Sequence, residues 1–118
     1  MKILIINGWT RHGDDQHLQA KCVLQKNIFK NLVKNYLPNS QVDIHDSYDE
    51  NKNIDNYDAY IWTGGGGNIY ENNSHNYSQL KLCEKIIEID KPIWGSCWGM
   101  QVIVTALGGV IKKCQKPE

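Results

Sequence analysis

Gly95-Ser96-Cys97-Trp98-Gly99 is the stretch that decides the fold, because it joins a strand-like segment to a helix-forming one. The short apolar segment 91–94 precedes it, and the apolar run 100–107 follows it. A cysteine with glycine two residues before it and two after it, between strand and helix, is typical of a nucleophile elbow. Larger side chains at the two glycine positions would collide in so tight a turn. The sequence therefore predicts that the Cys97 thiol is lifted clear of the backbone.

The helix that follows the elbow favours thiolate chemistry at Cys97. Its first turn has N–H groups without helical acceptors and the positive end of the helix dipole, both of which stabilise a thiolate. The backbone N–H of Trp98 is placed to stabilise an oxyanion beside the attacking sulfur. The alternative is that Cys97 is a small buried hydrophobe, as most free cysteines are. The strand before it and the helix after it favour the nucleophile.

Composition excludes several classes of protein. The chain has 118 residues, which suffice for one small domain. Thirteen basic and thirteen acidic side chains give zero formal charge, so neither nucleic acid nor an anionic membrane is the expected main partner. No apolar run approaches the roughly 20 residues of a membrane span, and residues 1–6 are too short for a signal-peptide core. Four cysteines without a C-x-x-C pair indicate reduced thiols in a cytoplasmic protein.

Apolar periodicity predicts strands that alternate with helices. The predicted strands are residues 3–6, 41–45, 57–63, 91–94 and 110–113, and the predicted helices are residues 18–37, 76–90 and 100–107. Asp14 or Asp15 is the expected cap of the first helix, and Gly108-Gly109 is the expected end of the third, which is apolar nearly all round and expected to be central. This order indicates an open, mostly parallel α/β sheet, in which ligands bind at the carboxyl ends of the strands.

Four consecutive glycines, Gly64 to Gly67, follow the predicted strand 57–63 directly. Such a run suits a backbone N–H that approaches a ligand with no side chain in between. The run does not fit G-x-G-x-x-G, and no Gly-Lys-Ser/Thr follows it, so a phosphate loop is disfavoured. An oxyanion hole is favoured, in which one glycine N–H and the Trp98 N–H form a pair of donors.

These residues together resemble the class I glutamine amidotransferases. The resemblance is carried by Pro92-Ile93-Trp94-Gly95-Ser96-Cys97-Trp98-Gly99-Met100-Gln101, by Ala106-Leu107-Gly108-Gly109 and by Tyr60-Ile61-Trp62-Thr63-Gly64-Gly65. The stand-alone, GMP-synthase-like members look most similar. The resemblance implies a flavodoxin-like or Rossmann-like open, mostly parallel sheet with helices on both faces, incomplete at the C-terminus, with residues 1–118 in one amidotransferase domain.

The resemblance also implies the reaction. Cys97 would attack the side-chain amide of L-glutamine, release ammonia and form a thioester that water hydrolyses, with no cofactor and no metal. The implied oxyanion donors are the N–H groups of Trp98 and Gly65. The resemblance leaves open whether the donor in the glycine run is Gly65 or the glycine directly before or after it. Implied substrate contacts are Gly64, Gly66 and Gln101. The ammonia acceptor is not readable, and a synthase partner in trans is one possibility.

The pattern departs from the family at the general base. The family carries a His-x-Glu motif after the cysteine, whereas 21 residues follow Cys97 here and none is histidine. The four histidines, His12, His17, His45 and His75, all precede it. Catalytic and metal-binding roles for His12 and His17 are disfavoured, because loop histidines are usually plain polar residues and no second cluster completes a metal site. We therefore expect the N-terminal part of a longer domain, with a fragment, a split gene and a remnant left open.

Other functions remain open at this point. A γ-glutamyl peptide hydrolase would use the same residues. A catalytically silent module would bind glutamine or a synthase partner without turnover. A flavodoxin-like nucleotide binder is disfavoured by the missing phosphate loop. A sheet that stops after the elbow helix would expose an edge strand, so self-association is also expected.

Overall fold

The computed structural model describes residues 1–49 and 53–113, which form one parallel α/β sheet with its helices. The elements are β1 (Lys2–Asn7), α1 (Arg11–Gln19), α2 (Gln25–Tyr36), β2 (Gln41–Asp46), β3 (Ala59–Trp62), α3 (Ser74–Ile89), β4 (Ile93–Gly95) and α4 (Trp98–Ala106). In this part of the chain the strand order is β2-β1-β3-β4, and every pairing is parallel. The predicted open, mostly parallel α/β sheet is confirmed.

The two faces of the sheet carry different helices, since successive side chains of a strand point to opposite faces. Leu4 and Ile6 of β1 belong to the main core, which includes residues of α3 and α4. Ile3 and Ile5 alternate with them on the opposite face, where α2 packs on β1 and β2. Helices therefore cover both faces, as predicted.

The predicted single helix over residues 18–37 is wrong, because the chain breaks between α1 and α2. Lys21 has a φ of 59°, in the left-handed region. Its N–H donates to Leu18 O at 3.0 Å, and Cys22 N–H donates to His17 O at 2.8 Å. These two bonds are those of a Schellman motif, which usually carries glycine or asparagine at the left-handed position. Because lysine occupies this left-handed position here, the sequence did not indicate that a helix ends at this point.

The predicted cap of the first helix is also wrong. Thr10, and neither Asp14 nor Asp15, caps α1: its hydroxyl accepts a hydrogen bond from Gly13 N–H at 2.9 Å. Asp14 is buried within the first turn. Its carboxylate accepts hydrogen bonds from Asn7 and Tyr48 in a polar cluster that is described below. The sequence pattern did not indicate this cluster.

The end of α4 matches the prediction in part. Gly108 has a φ of 95°, and Gly109 N–H donates to Val104 O at 2.8 Å, so the two glycines do end the helix. Residues 110–113 do not form the predicted strand: Val110 is 82% exposed, and no described strand lies beside it to supply hydrogen bonds. Nor is α4 central, because Met100 is exposed and burial is confined to one side of the helix.

The remaining helix is close to its prediction. α3 begins two residues before the predicted start, with the Asn73 side chain accepting from Asn76 N–H at 2.8 Å, and ends at Asp90 in the left-handed region. Among the described residues, no helix is both long enough and apolar enough to cross a membrane.

Candidate active site

Cys97 occupies a strained turn between β4 and α4. Its φ of 52° and ψ of −101° lie outside the conformations that L residues adopt freely. Strain of this kind persists only where the surrounding structure enforces it, and it is common at functional sites. The Cys97 side chain is exposed. The geometry matches the elbow that the sequence predicted.

The two glycines of the elbow leave no room for a side chain. A Cβ added to Gly95 would lie 2.5 Å from the carbonyl carbon of Gly99 and 2.6 Å from Met100 N. A Cβ added to Gly99 would lie 2.6 Å from Trp62 O. All three obstacles are backbone atoms, which cannot swing aside. The turn can close only with glycine at both positions.

Hydrogen bonds hold the first turn of α4 in place, and the Trp98 N–H takes no part in them. Gly99 N–H donates to Ser96 O at 2.9 Å and to Thr63 O at 3.1 Å, and Ser96 N–H donates to Trp62 O at 3.1 Å. Among the described residues, no backbone carbonyl accepts from Trp98 N–H. That donor lies next to Cys97 at the positive end of the helix.

The glycine run follows β3 at the same edge of the sheet. None of its four residues has a positive φ, so left-handed backbone is not the reason for glycine here. Thr63 fixes the start of the run: its hydroxyl accepts from Gly8 N–H and donates to Gly64 O, each at 2.9 Å. A trans peptide directs its C=O and N–H to opposite sides. Gly65 N–H therefore points away from the Thr63 hydroxyl.

The four glycines differ in what surrounds them. A Cβ on Gly65 would lie 2.8 Å from both Gly8 O and Trp98 Cγ. A Cβ on Gly64 would meet the amide end of Gln25 at 2.8 Å, and one on Gly66 would meet the ring of Trp9 at 2.6 Å. A Cβ on Gly67 would find its nearest neighbour at 3.9 Å. Only Gly65 faces another backbone group.

The Trp98 indole joins the elbow to the glycine run. The ring is buried, and a Cβ on either Gly8 or Gly65 would collide with its Cδ1 atom, at 2.6 and 2.9 Å. Its Nε1–H donates to Gln79 Oε1 at 3.2 Å. The His75 ring stacks on it, with centroids 5.8 Å apart. Sequence reasoning missed Gly8 and Gln79, and the Asn7-Gly8 end of β1 was the available signal for the former.

Gln101, predicted as a substrate contact, reaches the segment after the glycine run. Its Oε1 accepts from Ile69 N–H at 3.4 Å. Its side chain is half-buried on α4, one turn after Cys97. The contact ties α4 to the segment that carries Gly64, Gly65 and Gly66.

In the described part of the chain, no hydrogen bond joins His12, His17 or His75 to Cys97. His12 is exposed on α1, and His17 Nδ1 lies 2.7 Å from Gly13 O. His45 is buried in β2. His75 is half-buried against Trp98, and burial lowers its pKa below the usual range despite an opposing hydrogen bond from the ring to the Gly8 backbone carbonyl.

The three described cysteines differ in burial. Cys83 is fully buried in α3, and burial raises the pKa of its thiol to about 12. Cys22 is exposed, like Cys97, but lies in the connection between α1 and α2. Cys114 lies outside the described residues.

A polar cluster holds the loop after β1. Asn7 Nδ2 donates to Asp14 Oδ2 at 2.7 Å and to Asp46 Oδ1 at 3.0 Å, and Tyr48 OH donates to Asp14. Lys26 Nζ lies 2.8 Å from Asp46 and 3.7 Å from Asp14. Burial acts to raise the pKa of Asp46, but hydrogen bonds from Lys26 and Asn7 outweigh it and hold that pKa below its usual range. The cluster supports the edge of the site and leaves Cys97 untouched.

An open cavity of about 630 Å³ lies between the segment after β2 and α3. Ser47, His75 and Lys81 are among its lining residues, and neither Cys97 nor any of the four consecutive glycines is. The cavity is therefore separate from the elbow, which lies at the surface.

The comparisons with known proteins identify the family of this chain. The profile of the family described as "Glutamine amidotransferase class-I" matches residues 19–118. This chain belongs to the class I glutamine amidotransferases. The family assigned by resemblance is thereby confirmed, and with it the expectation that the chain belongs to a family of enzymes that act on glutamine.

Two curated relatives illustrate the range of the family. A "Gamma-glutamyl-L-1-hydroxyisopropylamide hydrolase" from Pseudomonas sp is 29% identical over 94% of this chain and 39% of that protein. A "GMP synthase [glutamine-hydrolyzing]" from Prochlorococcus marinus (strain MIT 9215) is 33% identical over 98% of this chain and 19% of the synthase. The chain thus spans well under half the length of either relative.

A solved structure supports the fold. The crystal structure of SMU.1228c superposes with a TM-score of 0.60 and 22% sequence identity, covering 92% of this chain and 44% of the other. At that identity the likeness concerns the fold alone.

Proposed function

We propose that this amidotransferase chain provides the nucleophile and the oxyanion donors of a glutaminase. The observation that carries the proposal is the elbow: an exposed cysteine with a φ of 52° at the N-terminus of α4, next to the Trp98 N–H, which donates to no backbone carbonyl of the described residues. A helix N-terminus and solvent access are the environment in which a cysteine becomes reactive.

The proposed chemistry begins with attack by the Cys97 thiolate on the side-chain amide carbon of glutamine. The C–S bond forms as the carbonyl electron pair moves onto oxygen, and the N–H groups of Trp98 and Gly65 stabilise that oxyanion. The C–N bond then breaks as the amine accepts a proton, and ammonia leaves. Water attacks the resulting thioester, which releases glutamate and restores the thiol.

Turnover also needs a general base that takes the thiol proton and delivers it to the departing amine. The resemblance to the family implies that this base is the histidine of a His-x-Glu motif, and residues 98–118 contain no histidine. Gly64, Gly66 and Gln101 are proposed to contact the substrate, and a synthase in trans is the proposed partner, with the ammonia acceptor left open.

Labelling with 6-diazo-5-oxo-L-norleucine, a glutamine analogue with a reactive carbon, tests the proposal without requiring turnover. We expect peptide mass spectrometry to find the adduct on Cys97 alone, and excess glutamine to slow its formation. Iodoacetamide is the matched control, because it should modify both exposed thiols, Cys97 and Cys22, and spare buried Cys83.

The contrary results are equally clear. Adducts spread over Cys22 and Cys114, or no adduct at all, would overturn the proposed function for this chain. Glutamine binding by calorimetry without ammonia release in the full-length protein would instead indicate the silent module.

A γ-glutamyl amide hydrolase is a second candidate, favoured by the similarity to the γ-glutamyl hydrolase from Pseudomonas over nearly the whole chain. Both reactions would use the same thioester, and they differ only in the amine that leaves. Full-length protein should be assayed with glutamine and with γ-glutamyl-isopropylamide. A higher kcat/KM for the N-alkyl amide would favour the hydrolase, and a higher kcat/KM for glutamine would favour the amidotransferase.

A further inference from the structure

A single buried amide connects residues at the ends of β1, β2 and β3 with the first residue of α4. Gln79 lies on α3 and is 1% exposed. Its Oε1 accepts from Trp62 Nε1–H at 2.8 Å and from Trp98 Nε1–H at 3.2 Å. Its Nε2 donates to Gly8 O at 3.3 Å and to the Ser47 hydroxyl.

The orientation of this amide follows from its partners. Indole N–H groups only donate and a backbone carbonyl only accepts, so Oε1 must face the two tryptophans and Nε2 must face Gly8. Rotating the amide by half a turn would break the bonds to Trp62 and Trp98 at once. A buried amide with its donors and acceptor all engaged is held in one position.

The same contact restrains the Trp98 ring beside the proposed oxyanion donors. The ring edge formed by Cγ and Cδ1 packs against Gly65 and Gly8, and the adjacent Nε1 is the atom bonded to Gln79. The indole cannot rotate without losing that bond or colliding with a glycine backbone. The Trp98 backbone and the Gly65 backbone are thus set against one rigid ring.

We propose that Gln79 is a positioning residue of the glutaminase site: by holding the Trp98 indole, it fixes the separation of the Trp98 and Gly65 N–H groups. The inference rests on the proposed function, because it assigns those N–H groups to the oxyanion. Among the described residues, no hydrogen bond joins Gln79 to Cys97, so its proposed action is through Trp98. An oxyanion hole works through the placement of its donors, so a small displacement is costly.

The first test compares two electrophiles on Gln79→Met, which keeps the length of the side chain but makes none of the hydrogen bonds. Labelling of Cys97 by 6-diazo-5-oxo-L-norleucine should slow by about 10-fold to 100-fold, the range expected for a displacement near 1 Å. Labelling of Cys97 by iodoacetamide, which needs no oxyanion hole, should change by less than about twofold. Equal slowing with both reagents, or with neither, would overturn the proposal.

A control on the same helix separates positioning from loss of stability. Ile86 lies two turns further along α3, is buried in the core and makes none of these hydrogen bonds. Ile86→Ala should lower the melting temperature and leave the ratio of the two labelling rates unchanged. If Ile86→Ala alters the ratio as much as Gln79→Met does, the effect is general loosening and the proposal is wrong.

If the glutamine analogue fails to label the unaltered chain, that result overturns the proposed function. The positioning role of Gln79 can still be tested by a second measurement, which uses nuclear magnetic resonance. Gln79→Met should shift the backbone amide resonances of Trp98 and Gly65 in a ¹⁵N–¹H spectrum. The resonance of Gly108, at the far end of α4, should stay in place. Unchanged Trp98 and Gly65 resonances would overturn the positioning role.

Discussion

Two glycine-rich turns lie at the carboxyl ends of neighbouring strands, and glycine is required in them for different reasons. In the elbow after β4, a Cβ on Gly95 would collide with the backbone of Gly99 and Met100, and a Cβ on Gly99 would collide with Trp62. In the run after β3, only Gly65 meets a backbone group, the carbonyl of Gly8, together with the Trp98 ring.

The difference shows that the residues that exclude a side chain at a glycine can lie far from that glycine in the sequence. The constraint on Gly95 is local, because its obstacles are Gly99 and Met100, and it can be recognised from the motif itself. The constraint on Gly99 comes from Trp62 on β3, although the motif already indicates a glycine there. Gly65 is constrained by residues far from it in the sequence, at the end of β1 and at the start of α4. The run of four glycines therefore contains one position at which the fold requires glycine and others at which it does not. The sequence alone does not distinguish them.

The largest expected effect belongs to the elbow. Gly99→Ala places a Cβ 2.6 Å from Trp62 O, and both atoms are attached to backbone that the sheet and α4 hold in place. We expect the free energy of unfolding to fall by about 3 kcal/mol, the upper end for overpacking. This outweighs the gain of about 1 kcal/mol that alanine normally gives over glycine in a helix. Urea unfolding followed by circular dichroism measures the difference.

Gly95→Ala serves as the companion variant, since its Cβ would meet the backbone of the first turn of α4. Both variants should lose stability to a similar degree. A loss below about 1 kcal/mol in either, which is less than overpacking normally costs, would show that the elbow can relax, and the two turns would then no longer differ.

The next effect distinguishes two neighbours within the glycine run. Gly65→Ala meets the Gly8 carbonyl and the Trp98 ring, and should cost about 2 kcal/mol of stability. It should also slow labelling of Cys97 by the glutamine analogue by about tenfold or more, because the proposed donor is displaced. Gly64→Ala meets only the movable end of the Gln25 side chain. Its cost should stay below about 1 kcal/mol, since a flexible group can turn away.

Thermal melts and labelling rates on the two variants in parallel check this contrast. If Gly64→Ala slows labelling more than Gly65→Ala does, the proposed donor is shifted by one residue.

The sequence predicts the parts of this molecule that local chemistry determines. Strand, turn and helix around Cys97 were readable because two glycines and an apolar run lie within a short segment. The parallel sheet followed from alternating strands and helices. The break between α1 and α2 was not readable, because Lys21 takes the left-handed position that usually signals itself with glycine.

Long-range polar contacts could not be read from the sequence at all. The sequence analysis did not single out Gln79. Four of its hydrogen-bond partners come from four separate segments, and His75 lies on its own helix. Asp14 was predicted as a helix cap on local grounds, yet it lies buried beside Asn7 and Tyr48. The predicted strand at residues 110–113 lacked a described neighbour to pair with.

The smallest expected effect is that of substituting Gly67, a glycine that the fold does not require. It is the most informative test of the comparison between the two glycine-rich turns. Gly67 has no positive φ, and a Cβ there would find its nearest neighbour, the Trp98 ring, at an ordinary 3.9 Å. Gly67→Ala should therefore be neutral or stabilise the chain by about 0.5 kcal/mol, since alanine restricts the unfolded state more than glycine does. Labelling of Cys97 by the glutamine analogue should be unchanged within about twofold, because Gly67 is outside the proposed pair of donors. Unaltered stability with strongly slowed labelling would mean that the substrate occupies the space beside Gly67, and the assignment of Gly65 as donor would have to be revised.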